Sequence, residues 1–138
     1  MEYIEYKKGY KYQLHTTYIT KIAIHPVQPI HTEYIDLTQT GHLTIRKGYA
    51  WDGPSGPTID IPCFMRGALI HDALYQLMRM GLLLFEYRKR ADMELEKACA
   101  VDGMAGWYRR LVYFAVQKFA KPSALPSHSK KIIYAPKQ

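Results

Sequence analysis

The sequence predicts an α+β domain: an N-terminal antiparallel β-sheet of about four strands followed by a three-helix unit. Before residue 50, β-branched and aromatic residues dominate and alternate imperfectly with polar ones, as strands with one wet face do. Residues 51–62, WDGPSGPTIDIP, hold two glycines and three prolines, which makes an ordered loop too stiff for a linker. Beyond that loop the apolar period becomes helical.

The strand pattern occupies Tyr10 to Ile19 and Glu33 to Ile45, with Pro26 and Pro29 interrupting it between. Gln39-Thr40-Gly41 is a turn signal joining Tyr34–Leu37 to Leu43–Ile45, so a hairpin is expected there. Cys63 to Met80 reads as the first helix, with Pro62 near its first turn and Gly81 as its stop. Asp60 is a candidate cap for it. Glu86 to Asp102 reads as the second helix, stopped by Gly103, and Met104 to Ala120 as the third, ended before Pro122. The 138 residues fit one domain over 1–120, with 121–138 as a Pro/Ser/Lys tail. Its short apolar run, Ile132-Ile133-Tyr134, could add an edge strand.

Composition narrows the class. With 48% hydrophobic, 13% aromatic and 22% charged residues, the chain can build a real core and is not disordered. The net charge of +7 is unevenly placed. Every acidic residue lies at or before Asp102, whereas Arg109, Arg110, Lys118, Lys121, Lys130, Lys131 and Lys137 follow it. A basic end suits an anionic partner or simply a solvated surface, with Arg109, Arg110 and Lys118 on the wet face of the third helix. The start, Met1 to Glu5, lacks a basic segment followed by an apolar run, so no export signal is expected. No apolar stretch approaches the roughly 20 residues of a membrane span. Two cysteines make neither a disulfide framework nor a zinc site, and the expectation is a protein made in a reducing cytoplasm.

The densest chemistry is His71-Asp72-Ala73-Leu74-Tyr75. His71 and Tyr75 are four apart and share one helix face. On the second helix, Ala91, Leu95 and Ala98 form an apolar stripe with Asp92 and Cys99 at its edge, so Asp92 is expected to be at least half-buried. A buried carboxylate needs a partner. In an antiparallel helix pair folded near residue 82, the numbers of facing residues add to a constant. His71 with Asp92 and Cys63 with Cys99 satisfy the same constant to within one residue. The expectation is therefore Asp92 facing His71 and accepting its Nδ1–H, with the other ring nitrogen left to take a proton from water. Asp72 and backbone carbonyls of the 51–60 loop could supply an all-oxygen cation site, which suits calcium. Cys63 and Cys99 would face each other as buried thiols. The remaining histidines show no metal-ligand spacing.

Two resemblances attach to these residues. Tyr49–Ser55 (YAWDGPS), His71–Tyr75 (HDALY) and Arg88 with Ala91-Asp92 resemble, in order, the motifs of an uncharacterised domain family of phages and prophages. That resemblance spans roughly residues 1–120 and implies a viral or prophage origin with no established activity; such a protein would be made in the host cytoplasm and could be incorporated in the virion. Over about 50 residues the helix pair is similar to secreted calcium-dependent phospholipases of the small prokaryotic type. This second resemblance implies His71 as general base, Asp92 as its orienter, Tyr75 hydrogen-bonded to Asp92, and a calcium ion held by Asp72. Carbonyls of Trp51, Gly53 and Ser55, with Asp52, would complete the metal site. The chain departs from those enzymes in lacking an export signal and the cysteine that precedes their His-Asp pair. Pro54 and Pro57 also alter the loop.

Three functions follow as expectations. The chain could be a phospholipid-type ester hydrolase acting on a membrane surface. It could be a virion or tail structural protein, packed against other virion proteins, that keeps the His/Asp pair as scaffold. A basic binding module is the third, with nucleic acid the less favoured partner.

Overall fold

The computed structural model describes residues 6–9, 11–51 and 62–119. The architecture is α+β, with antiparallel strands first and three helices after them. The chain divides into two compact units, the strands up to residue 53 and the helices from residue 54.

Among the described residues the strand unit holds seven short strands: β1 (Tyr6–Gly9), β2 (Lys11–Leu14), β3 (Tyr18–Lys21), β4 (Ile30–His31), β5 (Ile35–Leu37), β6 (His42–Ile45) and β7 (Ala50–Trp51). They form two antiparallel sheets, β1-β2-β7 and β3-β6-β5-β4, where the sequence predicts one sheet of about four strands. The expected strand from Tyr10 to Ile19 is split. Exposed His15, Thr16 and Thr17 separate β2 from β3, and each half pairs in a different sheet. Leu14 is the crossing point: its N–H donates to Tyr49 O and its carbonyl accepts from Gly48 N–H.

Alternation sets which faces pack. In β3, Tyr18 and Thr20 are buried while Ile19 and Lys21 are exposed. Ile24, Ile35, Leu37, Leu43 and Ile45 are fully buried, each worth about 1.5–3 kcal/mol of apolar burial. The expected hairpin joins β5 to β6. Gly41 N–H donates to Thr38 O, and Gly41 has a positive φ of 89°. A Cβ there would lie 2.3 Å from Ile22 O, so only glycine fits. In the other sheet, Tyr12 and Trp51 pack with tilted rings, 5.5 Å between ring centres, across the β2–β7 register.

The helical unit contains α1 (Pro62–Arg79), a 3-10 turn (Phe85–Tyr87), α2 (Arg88–Val101) and α3 (Gly106–Phe119). Pro62 opens α1, where its missing N–H costs nothing. Both predicted glycine stops are present with matching chemistry. Gly81 (φ 74°) donates to Met78 O while Leu82 N–H reaches Leu77 O; Gly103 (φ 93°) donates to Ala100 O while Met104 N–H reaches Cys99 O. Each pair of bonds satisfies the last free carbonyls of its helix. The second helix begins two residues later than expected because its first turn is wound as the 3-10 segment.

α1 and α2 pack along Phe64, Ala68, Leu95 and Cys99, with Met104 and Val112 completing the cluster from the α2–α3 side. The expected stripe of Ala91, Leu95 and Ala98 is buried. Cys63 and Cys99 meet in this core as free thiols, Cys99 fully buried and Cys63 half-buried. Gly67 lets the two helices approach. A Cβ on it would sit 2.8 Å from Leu95 Cδ1 and 3.0 Å from both Cys99 Sγ and Leu95 O. Ile132–Tyr134 and Asp60 lie outside the described residues.

Candidate functional site

The close approach of α1 and α2 brings His71, Tyr75 and Asp92 together. All three are buried, and Asp92 is wholly inaccessible. His71 Nε2 lies 2.7 Å from Asp92 Oδ1, and Tyr75 Oη–H donates to the same oxygen at 2.6 Å. The two donors come from successive turns of α1, with their rings 4.1 Å apart. Arg88, one turn before Asp92 on α2, donates from a guanidinium nitrogen to Asp92 Oδ2 at 3.4 Å. This fully buried carboxylate thus has partners on both oxygens, as its burial demands.

One expectation is overturned. Nε2, not Nδ1, faces Asp92. Nε2 is the distal ring nitrogen and is the one that reaches across to a neighbouring helix, whereas Nδ1 stays beside its own backbone. There it stands 3.8 Å from Asp72 Oδ1, on the next residue of α1. An ionised carboxylate only accepts, so the ring carries its proton on Nε2 in the neutral form, and Nδ1 carries the lone pair.

The electrostatics follow from the same contacts. Burial works against a charged His71, but the carboxylates of Asp72 and Asp92 outweigh it and raise its proton affinity above the usual 6.5. Burial, reinforced by the hydrogen bond to Asp92, pushes the Tyr75 phenol up, so it remains a donor at all ordinary pH. On α3, Tyr113 is also raised, by burial first and then by the charges of Asp92 and Glu96.

A second polar tie joins the helices nearer the start of α1. Arg66, nearly buried, donates through Nε to both oxygens of Asp102 at 3.0 and 3.2 Å, and reaches Ala98 O at 3.4 Å. The sequence reading missed this pair. It also left Arg88 as a member of a motif without a role, although the i,i+4 spacing to Asp92 was there to be read.

The expected calcium ligands are less fully seen. Asp72 sits beside the histidine with its side chain about a third exposed (31%). Trp51 lies buried on β7 in the strand unit. Asp52, Gly53 and Ser55 lie outside the described residues. Among the described residues, no three His, Cys, Asp or Glu side chains gather as a metal centre. Calcium sites also draw on backbone carbonyls. No helix among the described residues is long and apolar enough to cross a membrane.

Set against known proteins, the chain matches no family model, no curated protein and no solved structure, so the resemblances to a phage domain family and to prokaryotic phospholipases rest on their motifs alone.

Proposed function

We propose that the helical unit is a hydrolase of phospholipid-type esters, of phage or prophage origin, in which His71 activates water. The observation that carries this is the buried His71–Asp92 contact with Nε2 as the bonded nitrogen. Asp92 fixes the tautomer, which leaves the Nδ1 lone pair as the base. As Nδ1 takes a proton from water, the imidazolium that forms lies between two carboxylates, and the hydroxide can attack an ester carbonyl. Tyr75 and Arg88 hold Asp92 in place, so the base keeps its orientation through the step. Later the imidazolium returns its proton to the departing alkoxide. Calcium is the proposed cofactor. Asp72, partly exposed beside His71, is the residue of this unit suited to hold it. When bound, the ion would polarise the carbonyl and offset the negative charge that develops on its oxygen.

The test is calcium-dependent release of fatty acid from vesicles of mixed ester phospholipids, with His71→Ala as control. Release that vanishes in a folded His71→Ala variant supports the proposal. No release at high protein concentration, with or without calcium, overturns it.

A second reading has its own support. Asp92 is fully buried with three donors, and Arg66–Asp102 adds another tie, an arrangement that also suits a helix pair kept as scaffold in a virion or tail protein. That reading expects the protein in purified particles. It also expects His71→Gln, which keeps a donor to Asp92, to leave particle assembly intact.

A further inference from the structure

α3 carries two faces of opposite character. Tyr108 and Val112 pack inward against the core it shares with α1 and α2. Trp107 and Leu111, four residues apart and therefore on one face, stand out in solvent at 67% and 60% exposure. Arg110, exposed, lies on the same side. Arg109 is turned the other way: it is partly buried and bonds to Met104 O, with Glu96 3.5 Å away. An exposed tryptophan and leucine on successive turns expose apolar area at an energetic cost, and a surface that carries this cost commonly serves as a contact.

Charge selects the occupant. From α3 to the last residue the chain holds seven basic and no acidic side chains, and on this face the charge beside Trp107 and Leu111 is the exposed Arg110, so the partner is anionic. It must also bury apolar side chains. A nucleic acid could stack on Trp107 but offers Leu111 nothing. A second copy of this face would bring Arg110 against its own counterpart. An anionic lipid surface satisfies both demands: Trp107 and Leu111 enter the boundary between headgroups and acyl chains, and Arg110 meets the phosphates.

We propose that the Trp107–Arg110–Leu111 face of α3 is a docking surface for anionic phospholipid membranes. This names the surface on which the proposed hydrolase would find its substrate and in that sense rests on that reading, but binding and hydrolysis separate experimentally. Vesicles of ether-linked phosphatidylglycerol cannot be cleaved at an ester, so they report docking alone.

The experiment uses the full chain, these vesicles, and ether-linked phosphatidylcholine vesicles for comparison, read by co-sedimentation and tryptophan emission. Trp51 is buried, so a shift of emission to shorter wavelength on binding reports Trp107. The expected result is binding to phosphatidylglycerol and not to phosphatidylcholine, with that shift. Trp107→Ser with Leu111→Ser should weaken binding by about tenfold or more while circular dichroism stays unchanged. Arg110→Ser should weaken it less, by about fivefold. Unaltered binding by the Trp107/Leu111 double variant overturns the proposal. Equal binding to heparin without an emission shift does so in favour of a general polyanion site. A concentration-dependent dimer abolished by Leu111→Arg does so in favour of a second copy. Docking without fatty-acid release from ester lipids would sink the hydrolase and leave this surface standing.

Discussion

Replacing Asp92 by Asn changes one atom's identity and removes one charge from a wholly inaccessible point of the helical unit. The amide oxygen can still accept from His71 Nε2 and Tyr75 Oη, which share Oδ1 in the native protein. The amide nitrogen must then take the place of Oδ2 and face the Arg88 guanidinium, donor against donor. Charge-assisted bonds contribute about 1.5–3 kcal/mol and neutral ones about 1, so each of the two retained bonds loses roughly 1 kcal/mol. Arg88 is mostly covered and loses roughly another. Relief from desolvating the charge offsets part of this. The expected net loss is about 2–3 kcal/mol, below the 3–5 typical of a buried pair broken outright. The pH dependence carries a sign. His71 has its proton affinity raised in the folded protein, so its contribution is fully present below about 6.5 and is lost as pH rises through the raised folded value. The neutral amide of the Asp92→Asn variant cannot supply the carboxylate's share of that rise. The stability gap between native and variant proteins should therefore be widest in mild acid and narrow towards alkaline pH. Urea unfolding followed by circular dichroism across this range measures it. A loss under about 0.5 kcal/mol, or a gap that widens with pH, would refute the assignment of Asp92 as the charged partner of His71.

Three further outcomes are expected. If His71 is the base, kcat/KM for ester hydrolysis should rise with pH as the imidazole gives up its proton, because the ring must be neutral to act. A rate that does not rise with pH would remove His71 from the role. Gly67→Ala gains about 1 kcal/mol of helix propensity but presses a methyl onto Leu95 O and Cys99 Sγ at 3.0 Å. Overpacking by about 1–3 kcal/mol should leave it slightly less stable, with the His71 ring titrating closer to its ordinary value by NMR. Burial, with the nearby Cys63 and Asp102, pushes the Cys99 thiol up to about 12, so iodoacetamide should label one thiol in the folded protein and two after unfolding.

The parts legible in the sequence are those fixed by local chemistry. Pro62, Gly81 and Gly103 mark helix ends because φ and the orphan carbonyls of a helix end allow little else there. Gln39-Thr40-Gly41 marks its hairpin for the same reason. The facing of His71 and Asp92 was legible because an antiparallel hairpin leaves one free parameter, and the Cys63–Cys99 pair set it independently. What stayed hidden depends on contacts distant in the chain. Alternation over Tyr10–Ile19 shows strand but cannot show that β2 and β3 choose different partners. The choice between Nδ1 and Nε2 depends on how far the ring must reach, which spacing does not encode. Arg66 and Asp102 lie more than a turn off the register that pairs His71 with Asp92, and only the length of an arginine side chain joins them.

Both ties between α1 and α2 have the same sense, with the cation-forming side chain on α1 and the carboxylate on the α2 side. Together they act as a vernier. The apolar seam between the helices already resists a slide of one turn, about 5.4 Å, because Gly67 alone leaves room for Leu95 and Cys99 where they stand. Such a slide would strand Asp92 in the core without His71 and, in the same movement, part Arg66 from Asp102. Two mismatches that must occur together make the shifted packing far less favourable than either alone. The helix pair is thereby held to one alignment, and in the proposed hydrolase the ring nitrogen that meets the reacting water would be carried on a frame with no neighbouring alternative.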